Sequence, residues 1–415
     1  PSWKEQQILF GHSFNSISYS IIPVENQSDL ISAYKESCEQ SNHIILINCG
    51  GTLDIVEHLE PSEEKVFFIA DFHRPYDVCN IYNGGQVCLK ACQKEILFNY
   101  VQFSFYSSST GLMFELAWKL SRDSNDLLWW AIIGVGEQQL LGKVDSKTSV
   151  LDNGKLQSHM IRLAHLSQHG GDSTGTKDAL QITHEKDLSL SMYRHWSLLE
   201  SLKYTPQTAS HFHLWTLKGE KKLNEFLADL GLLLSQCRQK YNSMDIELRN
   251  ELRSIFQKKV EKYDLEDVIK YSFNSQYGFR PKNPASDLVF ALLALLDSAE
   301  RDKDPADAFH DALECLSNSK MDAVYRRIEL AKLQQIAIGK EVHACLDMGH
   351  VINAGPCLYA VIQDVTRILR SRRCFQFSNN IDLSASRLER FWITSQQPVV
   401  LVIVTTIDLR STSEK

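Results

Sequence analysis

Asp71 and His73 stand two apart in the run Asp71-Phe72-His73-Arg74-Pro75, directly after the apolar stretch Val66 to Ala70. If that stretch is a strand, both side chains leave its carboxyl end on one face, a spacing that suits a divalent metal taking carboxylate oxygen and imidazole nitrogen. The same spacing fits an aspartate paired with Arg74 or with backbone amides, beside a histidine satisfied in the core. A second end of this kind, Asn48-Cys49-Gly50-Gly51, closes the run His43 to Cys49. In parallel α/β sheets function gathers at such carboxyl ends. Other pairings carry less. His211-x-His213 and the pair His165 and His169 have ligand-like spacing, yet no cysteine or acid cluster completes either, so ordinary surface or core histidines are expected. Cys88 and Cys92 have no second pair at hand and read as buried thiols. Trp129 and Trp130 lie inside an unbroken apolar run, which favours core packing over base stacking. Arg367, Arg370, Arg372 and Arg373 either grip phosphates or form a solvated helix face. No G-x-x-x-x-G-K-[ST] run occurs, nor a strand followed by G-x-G-x-x-G, so nucleotide hydrolysis is not supported.

The elements that must position these residues read as α/β over the first third. Ser18 to Val24, His43 to Cys49 and Val66 to Ala70 are strand candidates, with helices over Ser28 to Glu39 and Thr52 to Leu59 between them. Val66 to Ala70 is continuously apolar, as a strand of a buried parallel sheet requires. Ser109 or Thr110 caps a helix that Asn125 and Asp126 stop. Leu127 to Val135 is a central strand or a fully buried helix, which periodicity cannot decide. From Ser146 to Gln335 helical patterns dominate, with few strand candidates. One stripe holds Leu223, Phe226, Leu227 and Leu230, ended by Gly231; another holds Leu248, Leu252, Ile255, Phe256 and Val260. Two further helices cover Asp304 to Leu316 and Met321 to Ile338, and His165 to Thr176 is a loop on composition. From about Gly339 the character turns β-like again, through Cys357 to Gln363 and Pro398 to Ile407.

The 415 residues favour two or three domains, and 43% hydrophobic with 23% charged residues is a globular composition. A net charge of −7 gives no whole-chain attraction to phosphate. Ten acids face two lysines between Glu25 and Asp71, while six arginines face two acids between Arg367 and Arg390, so the latter end is the better site for nucleic acid. Ten scattered cysteines without C-x-x-C predict a reducing intracellular compartment. The longest apolar runs, Leu288 to Leu296 and Val399 to Val404, fall well short of the roughly 20 residues of a bilayer span, so no membrane helix is expected.

HIILINCGG (His43 to Gly51), VFFIADFHRPYDVCNIYN (Val66 to Asn83), GLMFELAWKLSRDSNDLLWWAIIG (Gly111 to Gly134), YRHWSLLESL (Tyr193 to Leu202) and LNEFLADLGL (Leu223 to Leu232) resemble the cell division control protein 45 family. The resemblance covers most of residues 18 to 363. Its motif positions are Gly50, Asp71, His73, Arg74, Pro75, Asn80, Tyr82, Trp129 and Trp130. It implies a DHH-type parallel-sheet α/β domain at 1–145, a helical inter-domain region at 146–335, and a small C-terminal α/β domain of DHHA1-like type at 336–415, divergent or truncated after 364. It also implies a nuclear, non-enzymatic subunit of the eukaryotic replicative DNA helicase, without cofactor. The implied partners are the minichromosome-maintenance hexamer, the GINS complex, replication initiation factors and the replicative polymerase, in a chromatin setting. If single-stranded DNA is bound directly, the charge pattern rather than the resemblance places it at Arg370, Arg372 and Arg373, the alternative being a solvated face.

The superfamily contains phosphoesterases whose strand-end aspartates and histidines hold two manganese ions. By resemblance their D-x-G corresponds to Asn48-Cys49-Gly50, and an amide lacks the anionic oxygen that a divalent cation needs. Their Asp-His-His corresponds to Asp71-Phe72-His73, and Glu137 in GVGEQ is a candidate for a further carboxylate. The first-strand aspartates have no counterpart in PSWKEQQILFGHSFNS, and lower stability is expected from that absence. The family's acidic insertion is missing at Cys92 to Glu95. A binuclear centre is therefore not expected, with Asn48, Asp71, His73 and Glu137 as its remnants; the rival reading is a metal-dependent phosphoesterase acting on single strands.

Overall fold

The structure, a computed structural model, describes residues 20–24, 26–38, 41–71, 76–83, 85–89, 108–169, 180–265, 268–278, 280–297, 305–316, 321–349, 351–353 and 358–360. The chain divides into two compact units: Pro1–Ile182 with Gln276–Arg280 and Asp302–Asn318, and Thr183–Ser275 with Pro281–Arg301 and Ser319–Lys415.

In the first unit α1 (Gln27–Ser37) starts where the Asn26 side chain accepts the Asp29 amide, and it buries Leu30 and Tyr34. Strands β1 (His43–Ile47), β2 (Val66–Ala70) and β3 (Val87–Leu89) follow in the order β1-β2-β3, all parallel. Parallel neighbours need crossovers. These carry the short helices α2 (Ile55–Leu59) and α3 (Val78–Tyr82), each opened by an aspartate, Asp54 and Asp77. Phe67 and Ile69 of the middle strand are fully buried against Leu30, Tyr34, Leu46, Ile55, Leu59 and Val87, while Phe68 on the other face is half-buried. The parallel pairing matches expectation, but burial on both faces does not: Ile45 of β1 is 41% exposed and Phe68 is half-buried. The candidate strand over Ser18 to Val24 does not: residues 20–24 carry no regular structure. The helix expected from Thr52 begins only at Ile55, because Asp54 accepts the Val56 and Glu57 amides and fixes the start there.

Three longer helices follow, α4 (Ser109–Lys119), α5 (Asn125–Leu140) and α6 (Ser146–His169). Ser108 caps α4, in place of Ser109 or Thr110, its hydroxyl accepting the Thr110 amide. Asn125 and Asp126 do not stop α4; it ends at Lys119, with Ser121 in the left-handed region at φ +56°. Ser124 then caps α5, and Asp126 lies in its first turn, where a carboxylate favours the helix dipole. The run Leu127 to Val135 is thus a helix, buried on every side, with α4 and α6 packed against it. At Gly134 a β-carbon would lie 2.2 Å from Thr110 Oγ1, so the two helices meet at a contact only glycine permits. Helix α6 continues to His169, into the segment expected as loop.

The second unit is also largely helical. Strand β4 (Leu180–Leu188), whose start lies at the unit boundary, is followed by α7 (Leu198–Tyr204), α8 (Pro206–Phe212), α9 (Leu217–Asp229), α10 (Leu234–Arg238) and α11 (Ile246–Lys259). The predicted stripes form the core: Leu223, Phe226 and Leu227 of α9 and Leu252 and Phe256 of α11 are buried together, with Phe226 and Phe256 at 5.8 Å edge to face. Gly231 ends the first stripe at φ +74°, as a helix stop in the left-handed region does. Strand β5 (Ile269–Tyr277) sits between β4 and β6 (Asn283–Pro284), so the region expected to hold few strands contains two of nine residues each. Then come α12 (Ala285–Asp297), α13 (Pro305–Cys315), of the first unit, and α14 (Met321–Asp347). Helix α14 passes through Gly339, where β character was expected to begin; that glycine fits because the Tyr204 ring would lie 3.0 Å from a β-carbon. β character starts at β7 (Val351–Asn353), paired antiparallel with β8 (Leu358–Ala360). Pro398 to Ile407 lies outside the described residues. Among the described residues no helix is long and apolar enough to cross a membrane.

Two glycines in helices of the first unit should answer oppositely to the same change. Gly134→Ala drives a methyl group into Thr110 and is expected to cost about 1–3 kcal/mol in urea unfolding. Gly154→Ala on exposed α6, where a β-carbon meets nothing within 4 Å, is expected to stabilise by about 0.5–1 kcal/mol.

Candidate functional site

The carboxyl ends of β1 and β2 lie side by side. Their register runs to Ile47 opposite Ala70, and the Asn48 amide continues it by donating to the Ala70 carbonyl at 3.0 Å. Immediately after, the chain turns sharply. Asn48 takes φ +56° and Gly50 φ +85°; asparagine tolerates the left-handed region better than most side-chain-bearing residues. A β-carbon at Gly50 would also lie 2.7 Å from Leu46 Cδ1. The Asn48 side chain leads away from the turn, its Oδ1 accepting the Ser109 hydroxyl at 3.2 Å at the start of α4.

Asp71 is buried, 1% exposed, and its Oδ2 accepts the Gly51 amide at 2.9 Å. Gly51 must be glycine to allow this, since a β-carbon would lie 2.9 Å from that oxygen and 3.1 Å from the Tyr76 ring. The Tyr76 hydroxyl donates to the Asp71 carbonyl at 3.0 Å, and the Asp77 amide donates to the Gly51 carbonyl at 2.8 Å. Asn80, 1% exposed at the base of α3, completes the tie. Its Nδ2 donates to the Gly50 and Leu53 carbonyls, and its Oδ1 accepts the Ile55 amide. Two strand ends and two short helices are joined through these contacts. Cys49 has its thiol pushed up to about 12 by burial, with the Asp71 charge adding to it, so it is no nucleophile at neutral pH.

The other sequence candidates are placed apart or differently engaged. Glu137, near the end of α5, pairs with Lys143 at 2.8 Å. Trp129 and Trp130 are 2% and 4% exposed within α5, which makes them core. Tyr82 is 72% exposed on α3. His213 ends α8 at φ +54°, its Nδ1 within 3.2 Å of the His211 carbonyl, and burial lowers the His211 pKa. His165 is exposed on α6, and Cys88 is exposed where a buried thiol was expected. His73, Arg74, Pro75, Cys92, Arg370, Arg372 and Arg373 lie outside the described residues.

Among the described residues one group of three His, Cys, Asp or Glu side chains brings ligand atoms within 4.8 Å: Asp54, Asp77 and Cys79, which the sequence reasoning missed. Both carboxylates cap helices, and those caps were the available signal. The Asp54 pKa is lowered first by the Glu57 amide, and its hydrogen bond to Cys79 pushes that thiol up to about 11. The arrangement serves capping, with a protonated thiol closing it.

A binuclear divalent centre needs several anionic oxygens around two cations. Asn48 is neutral and turned to Ser109, Asp71 receives the Gly51 amide, and Glu137 is neutralised by Lys143. These residues do not fit such a centre.

The fold and this site define a mixed α/β protein, mostly helical, with a small parallel sheet whose strand-end loops are tied together by buried polar side chains. A sequence model of the CDC45 family matches residues 12–89 and 86–375. The human cell division control protein 45 homolog is 35% identical over 411 residues, covering 84% of this chain and 72% of its own; the mouse homolog gives the same figures. Cell division control protein 45 of Saccharomyces cerevisiae is 33% identical over 157 residues, covering 38% of this chain and 24% of its own. The crystal structure of CDC45 from Entamoeba histolytica superposes with a TM-score of 0.75 at 22% identity, over 96% of this chain and 78% of that one. The chain belongs to the CDC45 family.

If Asp71 serves the loop, its amide should serve nearly as well. Asp71→Asn is expected to cost under about 1 kcal/mol, whereas Asp71→Ala leaves the buried Gly51 amide unpaired and is expected to cost about 1–3 kcal/mol. Asn80→Ala strands three backbone groups and is expected to cost about 2–3 kcal/mol. Urea midpoints check all three; equal losses for the two Asp71 variants would contradict the role.

Proposed function

We propose that the chain acts in DNA replication as a non-enzymatic scaffold subunit of the replicative helicase. In this reading it works in the nucleus and joins the minichromosome-maintenance hexamer to GINS. It also meets initiation factors and the replicative polymerase on chromatin, and contacts single-stranded DNA near Arg370, Arg372 and Arg373. Membership of the CDC45 family supports the replication role. The single observation that carries the non-enzymatic part is the strand-end site, where a neutral amide at Asn48 stands beside an Asp71 carboxylate already engaged by a backbone amide. Under the same reading the first unit descends from DHH-type phosphoesterase domains, and the segment at 336–415 corresponds to their DHHA1-like domain.

The test combines chemistry and assembly. Purified protein with manganese is expected to release no nucleotides from end-labelled single-stranded DNA. The wild type and Asp71→Asn are expected to co-purify equally with hexamer and GINS subunits. Manganese-dependent cleavage abolished by Asp71→Asn would replace the scaffold reading with the phosphoesterase one, and absence of both activities would overturn the scaffold.

A further inference from the structure

The second unit buries two carboxylates beside one guanidinium. Asp187, at the end of β4, is fully supplied with donors: the Leu188 amide and the Tyr193 hydroxyl at 2.8 Å each, and Arg194 Nη2 at 2.6 Å. Asp287, in the first turn of α12, is 2% exposed. It is approached by the Ser286 hydroxyl at 3.4 Å and by the Met192 amide. Its Oδ2 has no hydrogen-bond partner among the described residues, and neither does the buried Nη1 of Arg194. Among the described residues the basic atom within 4 Å of that Oδ2 is Nε2 of His195, 3.7 Å away, a contact longer than a hydrogen bond.

Among the described residues the surrounding charges do not supply a second cation. Arg194 is committed to Asp187. Lys332, on α14, donates to the His195 carbonyl and pairs with Glu329 at 2.6 Å, so it holds the backbone of His195 and its charge is matched. Among the described residues the Tyr325 ring of α14 lies 5.6 Å from that of His195, and Tyr193, which donates to Asp187, meets Tyr241 edge to face at 5.2 Å. A buried carboxylate without a partnered cation is costly, and the inexpensive remedy is a proton.

We propose that in the folded chain the proton held by this pair sits on Asp287, leaving a neutral carboxylic acid facing a neutral imidazole. Folding thus moves a proton from His195 to Asp287 without changing the number bound. The joint between the Met192–His195 turn and α12 is then a device insulated from pH. Burial raises Asp287 to about 7 against the Arg194 charge, and burial lowers His195 to about 4, assisted by Lys332 and Arg194. In the unfolded chain the ordinary values are 3.8 and 6.5. A raised acid contributes stability that is lost as pH rises towards 7, and a lowered histidine contributes stability that is lost as pH falls towards 4. Between about pH 4 and 6.5 the two slopes cancel.

Removing one partner should uncover the slope of the other. The experiment is urea unfolding of the full chain from about pH 4.5 to 6.5, comparing wild type, Asp287→Asn, His195→Gln and the double variant. Relative to wild type, the unfolding constant of Asp287→Asn should rise about tenfold for each pH unit of acidification, and that of His195→Gln should fall about tenfold; the double variant should show no added slope. Slopes of the same sign, or no change within this interval, would overturn the proposal. An ordinary ion pair would place its pH dependence below about 4 and above about 6.5 instead. Where a variant fails to fold, carboxyl-labelled wild type decides by NMR. A buried aspartate titrating near neutrality supports the neutral pair, and none above about pH 4 overturns it.

Discussion

The first unit depends on satisfying backbone polar groups where two parallel strands end inside the protein. A buried turn with unpaired amides and carbonyls costs on the order of 1–3 kcal/mol for each group left open. Asp71 and Asn80 meet this requirement from the neighbouring strand end and helix, and the glycines at 50 and 51 give the room they need. The sheet, α2 and α3 are held in register by that arrangement, and the proximity of Asn48 to α4 follows from it.

The same requirement shapes the chemistry. A carboxylate that receives a backbone amide directs less of its charge to a cation, and the neighbouring position offers only an amide. Glu137, on a helix rather than a strand end, has its own cation in Lys143. What the strand ends provide is a joint in which a buried carboxylate and two amide side chains are engaged by neighbouring groups of the fold.

Legibility in the sequence tracked how local the determining physics was. β1 and β2 were readable because an unbroken apolar run suits a covered parallel strand, and α9 and α11 because their stripes repeat at helical spacing. The run Leu127 to Val135 was not, since a helix buried all round has no polar face to set a period. Asn125 and Asp126 were misplaced because the residues that break one helix also begin the next. β4 mixes exposed and buried positions and finds its neighbour far along the chain at β5, which a local pattern does not reveal. At the site, the importance of Asp71 was visible in its place after a strand. The use made of it was not, because Gly51 reaches it, and Asn80 reaches the adjoining turn at Gly50, only through the fold.

The enclosure of α5 gives the first unit a built-in optical gauge. Trp129 and Trp130, 2% and 4% exposed, are shielded from solvent, so their indole emission is expected to lie to the blue of that of Trp118, 42% exposed on α4. Loosening of the α4–α5–α6 packing would expose these rings to water, and their share of the emission would then shift red without any added dye.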